Sequence, residues 1–550
     1  MKQFDVTYDV LDNKRKTFSL IKSTDILIIR MHEEADFISM MANTIVDGDI
    51  QYEVIFNIAN ANTYVVNIKT SASRVSEVKK NIANNKEVRF AGYAFVNEVN
   101  KVNKEPIIYT ENLFIQFKNN LTEDDCEKII DEYSLTIKNK ISFLNNSYFT
   151  SMPENTGDDI FTIAENILNR KDVEHCHPEL IHHKKSKTIH PNQWHLKKTI
   201  VHTEVEVDAS ANVENAHKIT LGKGTTIAVI DDGFDLGHPE FWREGKIVHP
   251  CNLMYPDIGN FQGVNEDPSP EPGDNHGTAC AGVACADGRY GASGVAPEAK
   301  LMPIRHTAGL GSQSEAFAFA WAAENGADVI SCSWGPADGL WLDPDAPEHN
   351  IVAEMPALTR KAIDYAVKNG RKGKGCVIFF AAGNGNEPLE NDGYASHEQV
   401  IAVGACNDRS KRSVYSDYGK ALWCCFPSGD IPAPHMRHPY PYTKGIWTTD
   451  IRHEAGYSSG DAFTGDIFGN YTTIFGGTSS ACPGAAGVAA LILSVNPSLK
   501  HYEVKDIIRQ SCDKIDQENG EYDENGHSKW YGYGRVNAEK AVILAKEWKK

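Results

Sequence analysis

Three short segments of this 550-residue chain carry a carboxylate, an imidazole and a hydroxyl in surroundings that suit nucleophilic catalysis. Asp231 follows the apolar run IAVI and precedes Asp232-Gly233, so its carboxylate falls at the C-terminal end of a strand, where clefts form in α/β sheets. His276 lies in NHGTACAG, where small residues let a helix begin close against a neighbouring strand. Ser479 lies in FGGTSSACPGAAGVAAL, with glycines that allow tight approach and an apolar helix whose N-terminus aims at the hydroxyl. Taken singly, Asp231 and Ser479 read as helix caps and His276 as a satisfied structural histidine. Taken together, they are the parts of an activated nucleophile: a hydroxyl, a base for its proton and an acid to orient the base.

The elements around them decide whether they can meet. From about Thr225 onward the apolar runs TTIAVI, DVISCSW, CVIFFAAG and VIAVGA alternate with helical stretches such as SEAFAFAWAAENG and PALTRKAIDYAVKNG. Near-continuous apolar strands with intervening helices predict an α/β fold, a doubly wound parallel sheet covered on both faces. The longest apolar run, GAAGVAALILSV at 484–495, is short of a membrane span and reads as a buried helix, so no membrane partner is expected.

The first 190 or so residues follow a different plan, stated twice. DILIIRM alternates as a strand, EEADFISMMANTI has helical spacing, QYEVIFNIA and NTYVVNI form a hairpin, SASRVSEVKKNIANN is a helix and VRFAGYAFV a last strand. The order returns with LFIQF, TEDDCEKIIDEYS, the hairpin TIKNKISFLNNSYFTSM, DDIFTIAENILNR and a strand near VEHCHPELI. Thr122 and Asp125 suit the start of the first of these helices. Each unit reads β-α-β-β-α-β, which predicts two tandem ferredoxin-like α+β domains over residues 1–108 and 109–190, ahead of a catalytic domain over 191–550. The cluster His175, Cys176, His177, His182 and His183 lacks the spaced pairs of a structural zinc site and reads as a strand end entering a basic linker.

IAVIDDG, HGTACAG and GGTSSACP resemble the three signatures of the subtilisin-like serine protease family, and the similarity runs from about Gln193 to Val542. The resemblance implies Asp231 orienting the imidazole, His276 as general base then acid, and Ser479 as the nucleophile that attacks a peptide carbonyl. The family pattern Gly-Thr-Ser-x-Ala selects Ser479 over its neighbour Ser480. It also implies an oxyanion-hole asparagine after an apolar strand, a place filled by Asn384 in FFAAGNGN.

Within the family, Asp-Asp-Gly at the first signature, SCSWGPADG and NDGY resemble the kexin and furin-like branch. That likeness implies a substrate-lining segment at Ser333, Trp334 and Gly335, and Asp338 and Asp392 at the pocket for the residue before the scissile bond, favouring Arg or Lys. Asp232, helped by Asp267, would favour a second basic residue one position earlier. Gln313 stands near where the branch places an acid for a more distant basic residue, so no longer basic motif is demanded. A Ca²⁺ ion held by Asp338, Glu390 and Asp417 is implied as well. GYGRVNAEKAVILAKEW resembles the close of the catalytic domain, with no following β-sandwich expected.

Subtilisin propeptides are ferredoxin-like, and the resemblance gives that role to the second N-terminal domain, with Lys185 or Lys187 in its basic tail as a self-processing site. The first domain would be a duplicated copy that binds a regulatory partner or senses a signal; the alternative is that both domains pack against the catalytic domain without being removed. The formal charge of −19 argues against nucleic-acid and anionic-membrane partners and tolerates basic peptides. MKQFDVTYDV lacks an apolar run of signal length, which predicts a cytoplasmic protein, and the twelve scattered cysteines are expected free and buried. The expected activity is selective endopeptidase cleavage after Arg or Lys. A broad degradative protease and an inactive scaffold are the competing readings.

Overall fold

The computed structural model describes residues 3–10, 14–32, 35–45, 50–58, 62–97, 106–153, 156–181, 188–201, 204–253, 265–306, 311–436, 438–452 and 456–548, with the side chains of 3–19 and 56 excepted. The chain divides into two compact units, Met1–Lys184 and Lys185–Lys550. Lys185, Lys187, His182 and His183 lie outside the described residues.

The first unit begins with β1 (Gln3–Val10), β2 (Lys14–Met31), α1 (Phe37–Thr44), β3 (Gln51–Ile58), β4 (Thr63–Lys69), α2 (Ala72–Ala83) and β5 (Val88–Asn97). It continues with β6 (Ile108–Phe117), α3 (Glu123–Glu132), β7 (Thr136–Lys140), β8 (Ser147–Ser151), α4 (Asp159–Leu168) and β9 (Val173–Ile181). The sheet orders β3-β4-β2-β5 and β7-β8-β6-β9 are the same antiparallel arrangement repeated, with β1 added to the first as a hairpin on β2. The strand expected over DILIIRM is therefore the second half of an 18-residue strand whose first half pairs with β1. Helix α3 starts on a capping box, Thr122 and Asp125 each accepting from the other's backbone N–H, which satisfies donors that a helix start leaves open. In β9 the two-residue period buries Cys176 while His177 faces the other way against Phe114, so thiol and imidazole do not converge.

The two repeats, expected as separate domains, meet along a seam within this one compact unit. Tyr109 of β6 donates to the Tyr93 carbonyl and packs edge-on to Phe90, and Phe161 of α4 meets Phe95. Glu111, 2% exposed, is held by Arg30 and Arg89 of the first domain at 2.8 Å each and by Lys138 of the second at 3.7 Å. Asp158 of the second domain is bonded by Lys22 and Lys79 of the first.

The second unit contains β10 (Thr199–Val201), β11 (Val205–Val207), α5 (Val213–His217), β12 (Thr226–Asp231), β13 (Cys251–Asn252), α6 (His276–Cys285), β14 (Lys300–Arg305), α7 (Ser312–Glu324) and β15 (Val329–Cys332). Then come α8 (Ala357–Gly373), β16 (Val377–Ala381), β17 (Ile401–Cys406), β18 (Leu422–Pro427), β19 (Ile446–Thr449), β20 (Tyr471–Phe475), α9 (Gly477–Val495), α10 (His501–Ser511) and α11 (Ala538–Glu547). A seven-stranded parallel sheet runs β13-β14-β12-β15-β16-β17-β18. The chain leaves β12 for β14 on one side and returns to β15 on the other, so the direction of winding reverses at β12 and opens a crevice at its C-terminal end.

Strand parity sorts the two faces. Ile227 and Val229 of β12 share a core with α5, α6, α9, α10 and α11, whereas Ala228 and Ile230 pack with α7 and α8. Asp231 continues the odd-numbered series and so turns its carboxylate toward the face that holds α6 and α9. Those two helices approach closely because their contact is made of small residues: a Cβ on Gly487 would lie 3.0 Å from the Ala284 carbonyl. The apolar run at 484–495 lies in α9, buried from Gly484 to Leu493. All twelve cysteines are free, eleven of them buried.

Candidate active site

Helix α6 begins at His276, which puts the imidazole beside the end of β12. Its Nδ1 lies 2.7 Å from Asp231 Oδ1, and the same oxygen accepts from the Asp232 N–H at 2.9 Å. Asp231 is 4% exposed. Burial opposes charge on His276, but the Asp231 carboxylate, its hydrogen bond and Asp232 outweigh this and raise the imidazole pKa above its ordinary value. That is the condition of a base that must hold a proton during the reaction.

Ser479 sits in the first turn of α9. Pro483, four residues on, has no N–H to give the Ser479 carbonyl, and that oxygen instead accepts from Ser333 Oγ at 3.0 Å and Cys280 Sγ at 3.5 Å. The nucleophile's backbone is thereby tied to the segment after β15 and to α6. Ser480, by contrast, is fully buried and bonded to Ser428 Oγ and the Gly477 carbonyl, a structural role.

Asn384, after β16, has its amide orientation set by Thr478. Its Oδ1 accepts from the Thr478 N–H at 2.8 Å and Thr478 Oγ at 3.2 Å, which turns Nδ2 outward as a donor. Gly477, at φ +73°, sits where a Cβ would come within 3.2 Å of Asn384 Oδ1, so a side chain there would be strained and would crowd the amide. The Ser479 N–H is among the first helix amides without an intrahelical acceptor. With Asn384 Nδ2 it supplies two donors for a developing oxyanion.

The arrangement is suited to acyl transfer. His276 would take the Ser479 proton as Oγ bonds to the carbonyl carbon, the two donors would hold the oxygen that becomes negative, and His276 would return the proton to the leaving amine. Water would then repeat the sequence on the acyl ester and restore Ser479.

Beside the imidazole lies a cavity of about 710 Å³ lined by Ser333, Trp334, Gly335, Asp232 and Asp274, with Glu315, Glu354, Tyr394 and His306 further along. Asp392 is not among the residues lining this cavity and lies beneath the Gly335 segment: its Oδ2 is 3.1 Å from the place of a Cβ on Gly335, while its Oδ1 accepts from Tyr394 N–H. Burial, with Asp338 and Glu387 nearby, raises its pKa to about 6.

Four expectations about the acids change. Both oxygens of Asp232 accept amides of the first turn of α6, from His276 at 3.1 Å and Gly277 at 2.7 Å, so it serves as the anion at that helix N-terminus. Asp267 is exposed, caps a turn at Ser269 and is not among the residues lining the cavity, whereas Asp274 lines it and is paired with the buried Arg305. Gln313 does not line the cavity, but Glu315 two residues on does, accepting from Thr359 Oγ and Tyr394 OH. Helical spacing could have found Glu315, since it lies on the face of α7 that Ser314, Ala318 and Ala322 bury.

The fourth concerns the metal set. Glu390 accepts backbone N–H groups of Lys420 and Ala421 and points away, because a tight turn at Leu389–Asn391 redirects the chain. Glu387 takes its place: carboxylate oxygens of Asp338, Glu387 and Asp417 lie within 4.8 Å of one another. Asp417 Oδ2 and Asp338 Oδ1 both point at the space a Cβ on Gly383 would fill, at 2.2 and 3.0 Å. Burial and mutual repulsion raise Asp338 and push Asp417 well above the carboxylate range. Hard oxygen donors that repel one another in a half-buried cradle fit a divalent cation such as Ca²⁺.

The chain matches the model of the Subtilase family over residues 222–534. It is 51% identical over 515 residues to the "Calcium-dependent protease" of Trichormus variabilis, an alignment covering 93% of this chain and 74% of the relative. The "Kexin" of Candida albicans is more distant, at 29% over 398 residues, 69% of this chain and 37% of that protein. Among solved structures, the serine protease of Aeromonas sobria superposes with a TM-score of 0.53 at 21% identity, covering 66% of this chain and 67% of that one, a likeness of fold. The chain belongs to the subtilase family. It is a subtilisin-like serine protease.

Proposed function

We propose that this protease is a calcium-dependent endopeptidase that cleaves after Arg or Lys. The observation that carries the specificity is Asp392, whose Oδ2 sits beneath Gly335 at the segment flanking the nucleophile. A cationic side chain entering there meets a carboxylate already held in place by two backbone amides, and an apolar one leaves that charge uncompensated. Asp338 is committed to the cation cluster through Oδ1 and to the Asn384 N–H through Oδ2, so its effect on the substrate is that of a nearby charge.

Ca²⁺ would be held by Asp338, Glu387 and Asp417. Bound there, it would neutralise the three carboxylates and fix the loop that carries Asn384. The name of the relative from Trichormus variabilis supports the same reading. The second N-terminal domain, with the ferredoxin-like strand order, would act as the propeptide, and the first as its companion or as the seat of a regulatory partner.

The test is turnover of matched peptides differing only in the residue before the scissile bond, with Asp392→Asn alongside wild type. A preference for Arg and Lys that the substitution removes supports the proposal. Equal turnover of Leu and Arg peptides by wild type rejects it.

A further inference from the structure

On the other side of the imidazole lies a second cavity, of about 340 Å³, which shares only His276 with the acidic one and has Ser479 in its wall. His276 thus stands between two chambers that differ in their charged groups, several carboxylates in the first and Lys444 with Asp430 in the second. The second is walled by Ile431, Ile474, Phe475 and Tyr457, with Lys444 at its rim. Ile431 and Ile474 are 41% and 37% exposed, and Phe475 stands edge-on to the His276 ring and tilted against Tyr457. Asp430 is the one acid in the wall, and its oxygens are engaged: one accepts from Val414 and Ile431 N–H, the other from Asn407 and His438. Lys444 is exposed, anchored by a 2.9 Å bond to the Phe463 carbonyl, so a positive charge stands at the entrance.

An extended substrate crossing the catalytic pair places residues before the scissile bond in one chamber and residues after it in the other. We infer that the second chamber is the leaving-group subsite and selects an apolar side chain, aliphatic or aromatic, just after the scissile bond while rejecting Lys and Arg. The assignment of sides rests on the proposed placement of the basic residue at Asp392. The selectivity follows from two properties of the walls: apolar surface that gains by being covered, and a fixed cation that repels a second one.

Aminolysis of the acyl-enzyme tests this separately. An ester substrate with whichever acyl residue the enzyme accepts forms the Ser479 ester. Added amino-acid amides then compete with water, each forming a peptide bond as Ser479 departs with its proton restored, and the ratio of transfer to hydrolysis reads the leaving-group side alone. Leucinamide and phenylalaninamide should capture the acyl group at least about tenfold better than lysinamide or argininamide, the factor that covering such a side chain carries. Lys444→Glu should raise lysinamide capture, and Ile474→Ser should lower leucinamide capture. Equal capture of all amides, better capture of lysinamide by wild type, or no response of lysinamide to Lys444→Glu would overturn the inference. A failure of the Arg and Lys preference would show in the choice of ester and leave the partition ratios readable.

Discussion

Glu111→Gln probes the seam that joins the two N-terminal domains. Glu111 is 2% exposed and holds Arg30 and Arg89 of one domain and Lys138 of the other. Burial acts to raise its pKa, but hydrogen bonding and the three cations prevail and hold it below the ordinary glutamate range. Removing one partner of a buried ionic group costs about 3–5 kcal/mol, because the charges left behind have lost their compensation. The guanidiniums here are 20% and 34% exposed and regain some water, which favours the lower end. A change of about 3 kcal/mol corresponds to roughly a hundredfold in an opening equilibrium. The assay is hydrogen exchange of the β5 and β6 amides in the full chain carrying Ser479→Ala. The sign with pH is fixed by linkage: a depressed carboxylate contributes stability above its unfolded pKa that is lost as pH falls through its folded pKa. The gap between wild type and Glu111→Gln should therefore be full at pH 7 and shrink in acid below the glutamate range. Less than about threefold faster exchange at pH 7, or a gap independent of pH, would refute the reasoning.

Asn384→Ala should lower kcat by about 10²–10³ with little change in KM, since the amide acts on charge that develops in the transition state; a loss confined to KM would assign it to substrate binding. Chelation should lower the Tm, by an amount set by a cation contribution of about 2.7 kcal/mol at a hundredfold excess over Kd. The drop should be larger at alkaline pH than in acid, because the raised pKa values of Asp338 and Asp417 make protonation, which relieves their repulsion, set in earlier as pH falls than for ordinary carboxylates; calorimetry with and without EGTA reads both. The ratio of kcat/KM for Arg over Leu peptides should fall as pH drops through about 6, where Asp392 takes up a proton, and Asp392→Asn should abolish that dependence. The ratio cancels the titration of His276, which serves both peptides.

The placement of Asp231, His276 and Ser479 is legible because local rules fix the elements that carry them. An apolar strand with two-residue parity carries Asp231 to one face, small residues let α6 and α9 close on it, and a proline four residues after Ser479 forces the serine's carbonyl to seek partners elsewhere. The acids were less legible because charge alone does not say where a side chain points. Asp232 lines the cavity, and its second task, accepting the open amides of α6 with both oxygens, is not visible in its charge. Glu390 and Glu387 are three residues apart in one acidic run, and only the tight turn between them decides that Glu387 faces Asp338. The repeated sheet order of the N-terminal domains was readable from periodicity. The β1 extension and the Glu111 seam were not, since both depend on pairing between distant segments.

The proposed mechanism requires one activated hydroxyl at the N-terminus of α9. Labelling with a fluorophosphonate, followed by peptide mass spectrometry, tests it most directly. The adduct should lie on Ser479, persist in Ser480→Ala if that variant folds, and vanish in Ser479→Ala and His276→Ala. Labelling on Ser480, or undiminished labelling of Ser479 without His276, would contradict the mechanism.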